Sequence, residues 1–229
     1  MIIKKVGFFG LGDMGAAISQ RLLIKGYKIL STKRGKYKNF LNNKNFILKD
    51  NPCDVAVESD IIIFCVDTIK NLNQIIFSKK GILKANKIPK FILDLTTGKP
   101  SNCEYLSKVF IKKNKFYIDM PIGRTPAHAK EGKINLFISS KEKKLKECNP
   151  LIKAISENQF YVDNVGEGTK IKLLNNFYGQ SITLIFGKLL KNSNKKNVNI
   201  NNLVKIMSAG PLKSDILTAI KPYYEYDNK

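Results

Sequence analysis

Val6-Gly7-Phe8-Phe9-Gly10-Leu11-Gly12-Asp13-Met14-Gly15 decides the fold: an apolar run breaks into three glycines spaced G-x-G-x-x-G. Ile2 to Phe9 reads as a buried strand, and Ala16 to Lys25 as a helix whose apolar residues Ala17, Ile18, Leu22 and Leu23 lie at helical spacing. In such a strand-turn-helix, Gly10 permits the tight turn, Gly12 lets a pyrophosphate approach the backbone, and Gly15 lets the helix pack against its strand. The free amides and positive dipole end of the helix suit phosphate. Three glycines alone also describe an ordinary turn in an α/β protein. A second strand at Tyr27 to Thr32, after a helix stop at Gly26, makes the dinucleotide site the stronger reading.

Outward from this stretch the alternation continues. Asn51-Pro52 opens a helix with a capping Asn and a proline at the first position. Asp60 to Val66 reads as a strand buried on both faces, Thr68 to Phe77 as an amphipathic helix, and Phe91 to Leu95 and Phe116 to Met120 as further strands. Lys133 to Ser139 and Gln159 to Val162 are the last strand candidates. This pattern predicts an α/β fold, a doubly wound parallel sheet of the Rossmann type, whose ligand-binding carboxyl edge would be reached by Val66-Asp67 and Thr96-Thr97. From Thr169 the character turns helical. A long helix is expected to about Lys191, a polar break over Asn192 to Asn197, and a shorter helix over Ile200 to Met207. The expected domains are residues 1–165, dinucleotide-binding, and 166–229, a partial C-terminal helical domain.

The formal charge is +22, yet of 40 basic residues 37 are lysine, scattered from end to end among abundant Asn and Ile. Dispersed charge of this kind reads as solvated surface, the output of an AT-rich genome, rather than as a specific nucleic-acid face. The three arginines are then informative, because a guanidinium fork does what an ammonium cannot. Arg21 is expected to be exposed on the first helix, while Arg34 and Arg124 fall where an anion would be recognised. The longest apolar run, Ile61 to Val66, lies between Asp60 and Asp67 and is far too short to span a bilayer. No signal-peptide pattern is present, so a cytoplasmic enzyme is the expectation. Cys53, Cys65, Cys103 and Cys148 are far apart, which suggests neither a metal site nor a disulfide framework. Cys65 is expected to be buried in a strand.

The end of the second strand is where such a domain reads the ribose, with an acid for the hydroxyl of NAD or a basic residue for the 2′-phosphate of NADP. Ser31-Thr32-Lys33-Arg34-Gly35-Lys36 contains no acid, which favours NADP over NAD. Lys33 and Lys36 also read as solvated lysines, leaving Arg34 to carry the inference.

Four patches then stand in order: the glycine fingerprint; Asp94-Leu95-Thr96-Thr97-Gly98-Lys99-Pro100; Asp119-Met120-Pro121-Ile122-Gly123-Arg124-Thr125 with Gly132 beyond; and Gly166-Glu167-Gly168 followed by Lys172-Leu173-Leu174-Asn175-Asn176. The chain resembles the β-hydroxyacid dehydrogenase family, which includes 3-hydroxyisobutyrate dehydrogenase, over essentially its whole length. The resemblance implies that Lys172 is the catalytic general acid, that Leu11, Asp13 and Met14 belong to the pyrophosphate turn, and that Val66 and Thr97 line the nicotinamide side. It implies substrate contacts from Gly123, Arg124, Thr125, Asn175, Asn176 and Gly179. On a helix Lys172, Asn175, Asn176 and Gly179 share one face. Where the family usually reads Val-Ser-Gly-Gly, Ile122-Gly123-Arg124-Thr125 looks like the 3-sulfolactaldehyde reductase branch, in which the matching arginine grips a sulfonate. A surface ion pair is the plainer reading of Arg124. His128, the single histidine, matches no family catalyst.

Three departures qualify the match. Lys33 stands where that branch carries an aspartate, Gly179 stands where it carries a serine, and the chain ends at Lys229, before the family's Lys-Asp motif. The expectation is an NAD(P)-dependent reductase of a small anionic aldehyde to its alcohol, acting on 3-sulfolactaldehyde, as a homodimer or larger assembly. The alternatives are a dehydrogenase of a carboxylated semialdehyde or 3-hydroxy acid, and a shortened nucleotide binder without activity.

Overall fold

The computed structural model describes residues 2–195, 198–210, 213 and 216. The chain divides into two compact units, Met1–Lys172 and Leu173–Lys229.

The first unit opens with β1 (Lys5–Phe9), α1 (Asp13–Ile24) and β2 (Lys28–Thr32). It continues through β3 (Phe46–Lys49), α2 (Pro52–Glu58), β4 (Ile61–Phe64), α3 (Ile69–Phe77), β5 (Phe91–Asp94), α4 (Pro100–Ile111) and β6 (Phe116–Asp119). These six strands form one parallel sheet in the order β3-β2-β1-β4-β5-β6, the order of a doubly wound dinucleotide-binding fold. The Rossmann expectation holds.

Consecutive residues of each central strand face opposite sides of the sheet, so both faces need apolar side chains. Ile61 and Ile63 join one buried cluster with Phe8, Leu93 and Ile18 of α1. Ile62 and Phe64 join another with Phe9, Ile92, Leu72 of α3 and Leu106 of α4. An unbroken run of four apolar residues in β4 is the direct result. The register of β1 against β4 is reinforced by Asp60, whose carboxylate accepts from the backbone N–H groups of Lys4 (2.9 Å) and Lys5 (2.8 Å).

Several boundaries differ from the sequence reading. β1 begins at Lys5 and leaves Ile2 exposed. α1 begins at Asp13, so Gly15 lies inside it. Asn51 caps α2 as expected, its side chain accepting from the N–H of Asp54. Cys65 lies just past β4 and is half-buried. Arg21 is half-buried rather than exposed, and its Nε donates to the carbonyl of Ala154 at 3.0 Å. That bond ties α1 to α6 (Asn149–Ile155).

The later strand candidates do not extend the large sheet. β7 (Ile122–Gly123), β8 (Ile134–Ser139) and β9 (Ser156–Val162) form a second sheet in the order β7-β8-β9, with β7-β8 antiparallel and β8-β9 parallel. α5 (Pro126–Glu131) connects β7 to β8, and Gly132 ends it in the left-handed region.

α7 (Glu167–Lys195) starts in the first unit and continues through the second. It runs on through Asn192, where a polar break was expected; residues 196 and 197 lie outside the described residues. α8 (Ile200–Ser208) follows, with Val204 packed on Leu190 in a small cluster that includes Phe186 and Met207. Among the described residues no helix is long and apolar enough to cross a membrane, and no group of His, Cys, Asp or Glu side chains could hold a metal ion.

Candidate active site

The glycine turn has the geometry its spacing requires. Gly10 sits at φ +99°, and a Cβ there would lie 2.1 Å from the carbonyl oxygen of Cys65. A Cβ on Gly15 would lie 1.8 Å from the carbonyl oxygen of Gly10, so α1 is pressed directly onto the turn. Gly12 is different, because a Cβ there would meet nothing within 4 Å. Its missing side chain leaves open space above the backbone. The first bond of α1 runs from the N–H of Ala16 to the carbonyl of Gly12 at 2.8 Å, so the amides of Asp13, Met14 and Gly15 precede the helix ladder.

A groove of about 560 Å³ opens over this turn. Gly10, Leu11, Gly12, Asp13, Met14, Gly15, Arg34 and Val66 all line it, along with Cys65, Asn71 and Ile75. Open backbone at Gly12, a helix N-terminus and an apolar wall fit a dinucleotide: the turn would hold the pyrophosphate and Val66 the nicotinamide side. Burial pushes the Cys65 thiol up to about 12, so this wall carries a neutral sulfur.

Past the end of β2, the N–H of Lys36 donates to the carbonyl of Leu11 at 2.7 Å, which binds the loop after β2 to the glycine turn. Both Nη atoms of Arg34 lie 3.5 Å from Oε1 of Gln74. Lys33 is absent from the groove wall and instead lines a neighbouring hollow with Arg34, Asp50 and Gln74. Lys36, which the sequence leaves among the solvated lysines, pairs with Asp13. That pairing holds the Asp13 carboxyl below its ordinary value and offsets a negative charge beside the glycine turn.

Thr97 is exposed beyond the end of β5 and is likewise absent from the groove wall. Its neighbour Thr96 is buried and accepts from the N–H of Val66 at 3.3 Å. The buried Asp94 accepts from the N–H of Thr96 at 2.9 Å and from the hydroxyl of Tyr117. Burial raises the Asp94 carboxyl to about 6, against the pull of those donors.

Lys172 lies in the second turn of α7 and is half-buried; desolvation draws its ammonium below the ordinary lysine value. Asn175, Asn176 and Gly179 follow on the same helix, within the second unit. Asn175 is exposed and Asn176 half-buried, and a Cβ on Gly179 would meet nothing within 4 Å.

The third patch runs from Asp119 at the end of β6 into β7 of the second sheet and the turn after it. Gly123 is buried in β7, and a Cβ there would lie 3.2 Å from Cβ of Asn135. Arg124 has φ +75°, the left-handed region disfavoured for side chains with a Cβ. It stands at a glycine position of the family pattern. Its Nη1 donates to the carbonyl of Lys133 at 2.7 Å and pairs with Glu157. Thr125 Oγ1 lies 2.8 Å from Nδ1 of His128. Sequence reasoning did not find Glu157; no motif marks it, and it reaches Arg124 through the pairing of β8 with β9.

Comparison with known proteins agrees with this architecture. The chain is 26% identical over 220 residues to the uncharacterized oxidoreductase YkwC of Bacillus subtilis, covering 96% of this chain and 76% of that protein. It is 22% identical over 204 residues to the 3-sulfolactaldehyde reductase of Escherichia coli, covering 89% of this chain and 68% of that one. It spans less of another relative: 74% of this chain matches 30% of the cytokine-like nuclear factor N-PAC of Anopheles gambiae, at 28% identity. The solved structure of Psf3 in complex with NADP+ and 2-OPP superposes with a TM-score of 0.85 at 19% identity, covering 97% of this chain and 79% of that one. Residues 5–165 match the NAD-binding domain of 6-phosphogluconate dehydrogenase, and the chain therefore belongs to that family of NAD(P)-dependent oxidoreductases.

Proposed function

We propose that this protein interconverts a small anionic aldehyde and its alcohol, with Lys172 as general acid in the direction of reduction. The observation that carries the cofactor part of the reading is the groove over Gly12, where open backbone, a helix N-terminus and Arg34 line one channel; Lys172 does not line it, and its role rests on the family resemblance and its half-buried place on α7. A bound nicotinamide supplies the hydride. Lys172 gives its proton to the carbonyl oxygen as the alcohol forms, and takes it back in oxidation. Partial desolvation suits that task, since an ammonium with a lowered pKa releases its proton more readily near neutral pH. Asn175 and Asn176 would orient the substrate oxygens. NADP is the preferred cofactor in this reading, because the end of β2 offers the guanidinium of Arg34 and no acid.

Within this class we propose 3-sulfolactaldehyde as the substrate, supported by the Ile122-Gly123-Arg124-Thr125 patch and by the likeness to the Escherichia coli 3-sulfolactaldehyde reductase. The sulfonate would have to take Arg124 from Glu157. A carboxylated semialdehyde is the second reading, since a guanidinium grips either anion and Gly179 offers no hydroxyl to favour a sulfonate. Oxidation of NADH and NADPH is the test, measured with sulfolactaldehyde beside succinic and tartronate semialdehydes. Fastest turnover with sulfolactaldehyde and NADPH is expected; turnover confined to the carboxylates would transfer the assignment. Cofactor binding without turnover on any of them would leave a nucleotide-binding protein.

A further inference from the structure

α7 begins on a buried carboxylate. Asp119, the last residue of β6, is fully buried. Its Oδ1 accepts from the N–H of Gly166 at 2.8 Å, and its Oδ2 from the hydroxyl of Ser139 at 2.9 Å and from the N–H and hydroxyl of Thr169 at 3.3 and 3.2 Å. Ser139 Oγ in turn accepts from the N–H of Gly168 at 2.8 Å. The orphan amides at the head of α7 are thus received by one side-chain cluster, and the negative charge sits where the helix dipole favours it. From α4, Cys103 Sγ lies 3.5 Å from Thr169 Oγ1. The fit is close: a Cβ on Gly168 would lie 2.3 Å from the carbonyl oxygen of Phe137. All of these groups belong to the first unit.

Gly168 and Thr169 precede Lys172 by four and three residues, so the anchored turn and the lysine share one helix face. Helical side chains lean toward the N-terminus, which directs the stem of Lys172 back over that turn. The rotation and height at which α7 leaves the sheet therefore set where the ammonium stands. We propose that Asp119, acting with Ser139 and Thr169, is a positioning residue for Lys172. This inference rests on the general-acid reading of Lys172 given above.

The test uses the full chain with NADPH and the best aldehyde of the panel, and compares Asp119→Asn, Thr169→Val and Lys172→Ala singly and in pairs. Asp119→Asn replaces one accepting oxygen by a donor and is expected to lower kcat by about 10- to 100-fold, with the cofactor Kd changed less than about twofold. The alkaline fall of kcat, which reports loss of the Lys172 proton, is expected to move to higher pH as the ammonium regains water. Thr169→Val removes one donor, keeps the shape, and should show the same pattern at smaller amplitude; it decides the matter if Asp119→Asn does not fold. In the Lys172→Ala background, either substitution should cost less than about twofold more. Multiplicative losses in the double variants would overturn the inference, as would a lowered Tm with kcat and its pH profile unchanged, and in both cases Lys172→Ala alone remains defective. Normal turnover by Lys172→Ala would overturn the general-acid reading and this inference with it.

Discussion

At position 15 a methyl group has no room, since it would fall 1.8 Å from a backbone oxygen that cannot move without unmaking the turn. Gly15→Ala is therefore expected to lower Tm and to weaken cofactor binding at least about tenfold. Gly12→Ala places its methyl in open space; it should keep a normal Tm and weaken only cofactor affinity, because the methyl occupies the ligand's own volume. Thermal melts beside fluorescence titrations separate the two. Arg124 tests substrate chemistry. If it grips the anion, Arg124→Ala raises KM for a charged aldehyde by about 10- to 100-fold and leaves an uncharged one nearly unchanged. Equal effects on both would identify Arg124 as a strut that joins β7 to β9 through Glu157. For Asp94 the sign follows from its raised pKa: between about 4 and about 6 the folded state holds more protons than the unfolded chain, so this residue's contribution to stability falls as pH rises. Stability measured against Asp94→Asn across that interval should decline with pH, and a flat difference would refute the assignment.

Elements of this fold differ in how much of their structure is written locally. α3 is capped by Thr68, whose side chain accepts from the N–H of Asn71 at 3.1 Å. Thr68→Ala should cost about 0.5–2 kcal/mol in urea unfolding. Because Asn71 and Ile75 of α3 line the groove, the same substitution should also weaken cofactor affinity measurably. β4 was legible because both its faces are buried and its apolar run is unbroken. Ile62→Ala should cost about 2–5 kcal/mol by deleting a side chain packed on the face shared with α3 and α4. β3 was not legible: it is a four-residue edge strand with one buried residue, Phe46, and its pattern carries little periodicity. α4, α5, α6 and β7 were not read from the sequence either. α5 and α6, six and seven residues long, are each begun by proline chemistry and completed by packing on α1, while β7 has two residues.

For the molecule as a whole, the apolar surface of the second unit asks what covers it. Leu174, Phe177, Tyr178, Leu184 and Ile185 are exposed along α7. We expect this surface to be buried in a homodimer, as the family resemblance implies. Sedimentation should report two copies, and Leu184→Glu with Ile185→Glu should shift the population toward one.

By itself the sequence determined the order of strand and helix around the glycine turn and the doubly wound parallel class of the sheet with its carboxyl-edge groove, because spacing and periodicity are local properties of a chain; the candidacy of Lys172 came from the family resemblance, since one lysine among 37 carries no local mark of its own. The tertiary structure decided which charges meet. It placed Glu157 on Arg124, Lys36 on Asp13 and Asp119 on the head of α7, since each pair is brought together by strand pairing or loop closure across 23 to 50 residues. No short-range pattern encodes contacts at that separation. It also moved Arg21 from surface to strut, because exposure depends on what packs alongside, and what packs alongside α1 is a helix more than a hundred residues further on.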